Sequence, residues 1–259
     1  MRSEFERAAA FEEALRDACV KRREQSRFGV ALLNPGLPHV WSVNLLRVET
    51  ADADLEELIA DAEQVLGKAG LNHRRLLVTD EELGRRLERP LGDRGWKTDH
   101  FVYMVSHREP SRRGAAHDVA EVDRESVLAL RHAILAEWLP DLDSETVGQI
   151  MASDRCFAEV GNARYFAIVV DGAVVSAANL YSDGHTAQIE DVATLPEHRG
   201  RGHATAVTLR ALDEARTGGH DFVFLVADAR DWPKELYRRL GFDEVGERYV
   251  YRLKLSEAS

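Results

Sequence analysis

The stretch Val192-Ala193-Thr194-Leu195-Pro196-Glu197-His198-Arg199-Gly200-Arg201-Gly202-His203-Ala204 constrains the fold more than any other part of this 259-residue chain. A mostly apolar, extended run stops at Pro196, a basic glycine-rich turn follows, and a helical pattern begins at once. Such a strand–turn–helix unit aims at one point several backbone N–H groups that have no partner within the helix, and the helix dipole adds partial positive charge there. The product is an anion site suited to a phosphate or pyrophosphate. Gly200 and Gly202 leave no Cβ between the backbone and such a ligand.

Two common phosphate patterns do not fit. The chain has no Gly-Lys-Ser/Thr ending, and Thr205 stands where a dinucleotide fingerprint needs glycine or alanine. What is present is Arg-x-x-Gly-x-Ala, from Arg199 through Gly202 to Ala204. Downstream, Val207, Leu209, Ala211, Leu212 and Ala215 recur at helical spacing, and Gly218-Gly219 stops the helix. Asp221 to Asp228 reads as a buried strand. A short helix follows, with Pro233 in its first turn and Gly241 at its end. Val245 to Leu255 is a final strand, or a hairpin turning near Gly246.

The Arg199–Ala204 run and the later Leu236-Tyr237-x-x-x-Gly241-Phe242 resemble, in this order, the acetyl-CoA signature and closing segment of the GNAT superfamily of N-acetyltransferases. The resemblance covers residues 116–255. Earlier segments suit the same order: a strand at Asp118 to Val122, helices at Ser126 to Trp138 and Ser144 to Met151, and strands at Arg164 to Val170 and Ala173 to Tyr181 joined by an Asp171-Gly172 turn. The strand Thr186 to Thr194 leads into the glycine-rich loop. The resemblance implies an α+β fold, a mixed, mostly antiparallel sheet flanked by helices.

Glu109-Pro110-Ser111-Arg112-Arg113-Gly114 reads as a linker, and the segments before it repeat the later half in degenerate form. Arg75 to Asp80 matches the strand ending Phe224 to Asp228, Gly95-Trp96 stands where Gly241-Phe242 stands, and His100 to Val105 resembles Arg248 to Leu253. A helix carrying Leu55, Leu58, Ile59, Ala62, Val65 and Leu66 follows a strand around Val43 to Val48. The expected domains are therefore a degenerate GNAT-like unit at 1–108 and an acetyl-CoA-binding GNAT unit at 115–259. The strand-to-helix junction of the first unit, Arg47 to Asp54, has no glycine and carries Glu49, Asp52 and Asp54. It would repel a pyrophosphate, so the first unit is expected to be structural or substrate-shaping.

Acetyl transfer to an amine needs a deprotonated nucleophile, a polarised thioester oxygen and a proton for the departing thiolate. The resemblance places Tyr237 at the tyrosine that serves as general acid in many GNAT enzymes. Arg230 stands where many members carry a coenzyme-binding asparagine. Glu190 is the leading candidate base and Asp191 the second, with a water chain as the alternative. Strand alternation sends these two carboxylates to opposite faces, so at most one points at the substrate; Asp191 is also a candidate substrate-binding residue. The backbone of Ala193 and Thr194 is expected to face the pantetheine arm, as in the family. Arg199, Gly200, Arg201, Gly202, His203 and Ala204 form the rest of the acetyl-CoA site. Trp138, with Arg131, His132 and Glu137, falls in the helix that lines the acceptor site in the family; it either covers an apolar substrate or fills a gap between domains.

A net charge of −11 argues against broad nucleic-acid binding. No apolar run approaches the roughly 20 residues that span a membrane, and Arg2 to Arg27 has no signal-peptide core. The ten histidines show no metal-ligand spacing, so no metal is expected. Cys19 and Cys156 suggest no disulfide framework, and a reducing cytoplasm is the expected compartment. The function so implied is acetyl-CoA-dependent N-acetylation of a small-molecule primary amine by a monomer or homodimer. A non-catalytic acyl-CoA-binding module and a protein or peptide N-acetyltransferase are the alternatives.

Overall fold

The computed structural model describes residues 3–111 and 117–255; Arg112, Arg113 and Gly114 of the linker lie outside the described residues. The chain runs α1 (Glu4–Cys19), β1 (Arg22–Gln25), β2 (Gly29–Leu33), β3 (Leu45–Val48), α2 (Leu55–Ala62), β4 (His73–Val78), α3 (Glu81–Gly92) and β5 (Lys97–Ser106). It continues as β6 (Ala120–Val122), α4 (Arg124–Trp138), α5 (Ser144–Val160), β7 (Arg164–Val170), β8 (Ala173–Ser182) and β9 (Thr186–Thr194). It ends with α6 (His203–Thr217), β10 (Phe222–Asp228), α7 (Pro233–Arg239) and β11 (Phe242–Lys254).

Among the described residues, eleven strands form one sheet, in the order β1-β2-β3-β4-β11-β5-β10-β9-β8-β7-β6. The last strand of the chain therefore lies against β4 of the first half, and β5 lies against β10 of the second. Outward from the central β11–β5 pair, the pairing sense repeats on both sides. It is antiparallel (β11·β4 and β5·β10), parallel (β4·β3 and β10·β9), then antiparallel twice, and β7·β6 adds one more antiparallel pair on the second side. The fold is the expected α+β one, a mixed and mostly antiparallel sheet flanked by helices.

Alternation along the strands sorts the core into two layers. On one face α2 and α3 cover Leu76, Val78, Tyr249 and Tyr251, while α6 and α7 cover Val102, Met104, Ile189 and Leu225. On the other face α1 packs Ala8, Phe11 and Leu15 against Tyr103, Val105 and Phe224, and α4 packs against Tyr165, Ala167 and Ala177. The turn at Asp171-Gly172 has positive φ at both residues, as a tight hairpin demands. The final segment is one strand rather than a hairpin: a bulge between Glu244 and Gly246 absorbs the irregularity.

Two departures from the sequence reading matter. The N-terminal stretch is a helix, begun by a capping box in which the Ser3 hydroxyl accepts from Glu6 N–H and the Glu6 carboxylate from Ser3 N–H. Cys19 at the end of α1 and Cys156 in α5 are joined as a disulfide, with Cα atoms 5.8 Å apart across 137 residues of sequence. Two cysteines so far apart give no sequence signal of pairing; it becomes visible only because α1 and α5 pack side by side.

Because β5 and β11 each pair with the opposite half, residues 117–255 alone should not give the native fold. A fragment beginning at residue 117 is expected to lack a cooperative thermal transition by circular dichroism. A sharp melt at the temperature of the full chain would show instead that the halves fold independently.

Candidate active site

The glycine-rich loop stands between β9 and α6. Gly200 and Gly202 have φ of +74° and +84°, the left-handed region where side chains are strained, and a Cβ at Gly200 would meet nothing within 4 Å. Gly202 is the N-cap of α6 and supplies no side chain to its first N–H groups, so these stay available to an anion. The corresponding junction in the first half is closed: the Asp54 carboxylate accepts from Glu56 N–H and Glu57 N–H at the start of α2 at 3.0 and 3.1 Å.

A cleft of about 650 Å³ opens from this loop, lined by Thr194, Gly200, Gly202, Ala204 and Tyr237 among others. Trp138 and Trp232 stand on its walls, 61% and 63% exposed. β9 and β10 pair only from Thr186 to Ile189, so β9 runs free of β10 from Glu190 to Thr194. On the β8 side the Ala193 carbonyl accepts from the Ser176 hydroxyl at 2.9 Å. The arginines of the loop are engaged elsewhere. Arg199 donates to the Glu137 carboxylate at 2.5 and 2.8 Å and to the Thr194 carbonyl, and Arg201 donates to the Glu197 carbonyl. The His203 side chain turns inward beside His117 and His198.

On the opposite face of β9 lies a second cavity of about 210 Å³, lined by Glu12, Arg16, Arg131, Asp154, Glu190 and Asp191 among others. Strict alternation would separate Glu190 from Asp191, but it fails here. Asp191 takes φ +52° in a bulge where β8 and β9 lose register, between the pairs Asn179↔Glu190 and Ala177↔Ala193. The extra residue returns Asp191 to the face of Glu190. Arg131 holds Asp154 at 2.8 Å and Asp191 at 3.3 Å, and Asn179 donates to Asp191 at 3.0 Å. Gln188 donates to Glu190 at 2.6 Å and to Glu12 at 3.2 Å.

Burial raises the Glu190 pKa well above the usual carboxylate range, and the Asp191 and Glu12 charges push it further. Asp191 is also raised, by burial, with Arg131 opposing. Tyr237 is 8% exposed, and its hydroxyl forms no hydrogen bond among the described residues. Burial first, and then the Glu190 charge, raise its pKa, so it stays protonated at neutral pH. A buried carboxyl of raised pKa and a protonated phenol thus sit on opposite sides of one opened strand.

Residues 128–242 match the model of the acetyltransferase (GNAT) family. The match supports GNAT-type acyltransferase activity. The whole chain resembles a solved protein from Staphylococcus epidermidis of unknown function, at 18% identity with a TM-score of 0.68 over 92% of this chain and 95% of that one. It also resembles a GCN5-related N-acetyltransferase from Kribbella flavida, at 19% identity with a TM-score of 0.61 over 96% and 95%. A tandem GNAT protein from the clavulanic acid biosynthesis pathway aligns at 13% identity with a TM-score of 0.56 over 82% and 76%. No curated protein matches the sequence. Among the described residues, no helix is long and apolar enough to cross a membrane.

The GNAT resemblance alone did not reveal Glu12, Arg16 or Asp154. The Ser3-to-Glu6 capping pattern before Ala8, Phe11 and Leu15 was the available signal for α1, but nothing local tells where that helix docks.

Two outcomes are expected. Gly202→Glu places a carboxylate at the helix start and should abolish acetyl-CoA binding in calorimetry, while wild type binds with a stoichiometry near one; unchanged affinity would remove the loop from the site. For Glu190, the folded state resists an ionisation that the unfolded chain undergoes freely at about pH 4. Wild-type stability should therefore fall as pH rises above that point, and Glu190→Gln should lack this component. Its melting temperature should match wild type near pH 4 and exceed it increasingly toward neutral pH.

Proposed function

We infer that this protein transfers the acetyl group of acetyl-CoA to the primary amine of a small molecule, with Glu190 as base and Tyr237 as acid. The observation that carries this reading is the placement of a buried carboxyl of raised pKa and an unbonded phenol on either side of β9, where it leaves β10. Acetyl-CoA supplies the activated acyl group. The Gly200–Ala204 backbone and the α6 N-terminus suit its pyrophosphate, and the unpaired edge of β9 at Ala193 and Thr194 suits its pantetheine arm. Arg199 and Arg201 reach a phosphate only by leaving Glu137 and the Glu197 carbonyl.

In this scheme Asp191 and its neighbours attract the cationic acceptor. Glu190 takes a proton from its ammonium, and the Tyr237 hydroxyl gives its proton to the departing thiolate. Trp138 shields the acceptor side, where it borders both the coenzyme cleft and the small cavity under α4. We place a degenerate GNAT-like unit at residues 1–108 and the catalytic unit at 115–259. The repeated strand pairing on both sides of the β11–β5 pair supports this duplication, as does the likeness to a tandem GNAT protein. The first unit then contributes α1, whose Glu12 and Arg16 close the acceptor cavity. A roof of this kind favours a small molecule over a peptide. A cytoplasmic setting is part of the proposal; the Cys19–Cys156 bond counts against it, because reducing compartments keep most such pairs as thiols.

The test is thiol release from acetyl-CoA against a panel of primary amines. With an accepted amine, Tyr237→Phe should lower kcat by about 10²–10⁴-fold and leave acetyl-CoA affinity nearly unchanged. Near wild-type turnover in that variant would make Tyr237 a packing residue. Absence of turnover with every amine, while acetyl-CoA still binds, would favour a non-catalytic acyl-CoA-binding role.

A further inference from the structure

Beyond Glu190 the acceptor cavity leads along the sheet toward the first half. A further cavity of about 190 Å³ shares Glu12, Arg16 and Glu190 with it and adds Arg75, Tyr103 and Arg248. Three guanidinium groups from α1, β4 and β11 thus border one cavity. Their donors are not all satisfied. Nε and Nη1 of Arg16, Nε of Arg75 and Nε of Arg248 are shut off from solvent without a hydrogen-bond partner.

Arg248, 2% exposed, spends its other nitrogens on Glu12 at 3.5 Å and Glu13 at 2.9 Å. Arg16 and Arg75 form no ion pair among the described residues. Asp99, whose charge Arg75 feels, is held by Arg252 at 2.8 Å. Glu12 is already occupied by Tyr103, Gln188 and Arg248. Burial and the neighbouring Arg16 charge pull the Arg75 pKa down to about 10, yet it remains a cation at neutral pH. Folded proteins rarely leave buried donors of this strength unused.

We propose that the acceptor is an amino carboxylate whose carboxylate is received by the guanidinium groups of Arg16 and Arg75, while its amine is presented to Glu190. The assignment rests on the reading that Glu190 faces the acceptor amine. A guanidinium fork matches a planar two-oxygen anion. Glu12, Glu190 and Asp228 also line the space, which favours a monoanion over a doubly charged phosphate. The chemistry balances. One N–C amide bond forms and the thioester C–S bond breaks. Of the two protons the ammonium loses, one is matched by the proton delivered to the thiolate and the other passes to solvent. The product keeps its carboxylate.

The test uses the full chain with coenzyme A bound. Calorimetry compares the series from glycine to 6-aminohexanoate with the alkylamine of matching chain length for each member, and thiol release from acetyl-CoA is measured in parallel. At least one amino carboxylate should bind roughly tenfold or more tighter than its alkylamine, the scale of a charged hydrogen bond. Arg75→Met and Arg16→Met should each bring that ratio toward one. Arg75→Met should also keep or raise the melting temperature, because it deletes a desolvated charge that lacks a partner; a purely structural arginine would show a fall. Alkylamines binding as well as amino carboxylates, an unchanged ratio in both variants, or no binding by either series would overturn the proposal. Selective carboxylate binding without thiol release would leave the anion site standing and remove the acetyl-transfer reading. Equal acetylation of both series would do the reverse.

Discussion

The antiparallel ladder between β5 and β11 holds the molecule in one piece. It runs from Phe242↔Ser106 to Arg252↔Lys97 with one bulge, and each of its strands is hydrogen-bonded on its far side to the opposite half of the chain. Separating the halves would expose both ladders and the apolar layers above and below them. The seam is also chemically loaded: Tyr103 on β5 and Arg248 on β11 are both almost fully buried there, with the guanidinium 5.2 Å from the ring centre. Such burial requires partners, and α1 provides them by laying Glu12 and Glu13 across the seam. The position of α1 then shapes the cavity beside Glu190.

The second constraint is the opening of β9. The parallel ladder with β10 ends at Ile189↔Leu225. The residues beyond keep their pairing to β8 but leave their other edge free. That edge connects a cleft on the α6–α7 face with cavities on the α1–α5 face, so groups that alternation assigns to different layers can work on one reaction. The Asp191 bulge adds a second carboxylate beside Glu190. Two adjacent buried carboxyls cannot both ionise cheaply, and Arg131 offsets only the Asp191 side directly. The asymmetry leaves Glu190 with the more strongly raised pKa.

The two strand-to-helix junctions show how little separates an open anion site from a closed one. At α6 the N-cap is Gly202, which has no side chain to offer. At α2 it is Asp54, whose carboxylate takes two of the same donors. The cap backbone differs too, extended at Asp54 and left-handed at Gly202, and the capping carboxylate occupies donors that stay free at Gly202.

These features were not equally legible in the sequence. The glycine-rich loop, the apolar face of α6, the Asp171-Gly172 turn and the closed junction at Asp54 follow from short-range rules, because backbone sterics, helix spacing and capping involve residues only a few positions apart. The exchange of β5 and β11, the disulfide between Cys19 and Cys156, and the delivery of Glu12 and Arg16 to the cavity each join residues far apart in sequence, and no local pattern specifies such pairings. The bulge at Asp191 is short in sequence but was equally hidden: it exists because β9 must keep β8 while leaving β10, a demand set by the sheet. The pairing of Arg199 with Glu137 likewise depends on where α4 lies against the loop. The sequence alone determined most of the helices and strands and which helix start lacks a capping side chain. The tertiary structure decided which side chains line the cavity beside Glu190, because that depends on how separate elements share one buried space.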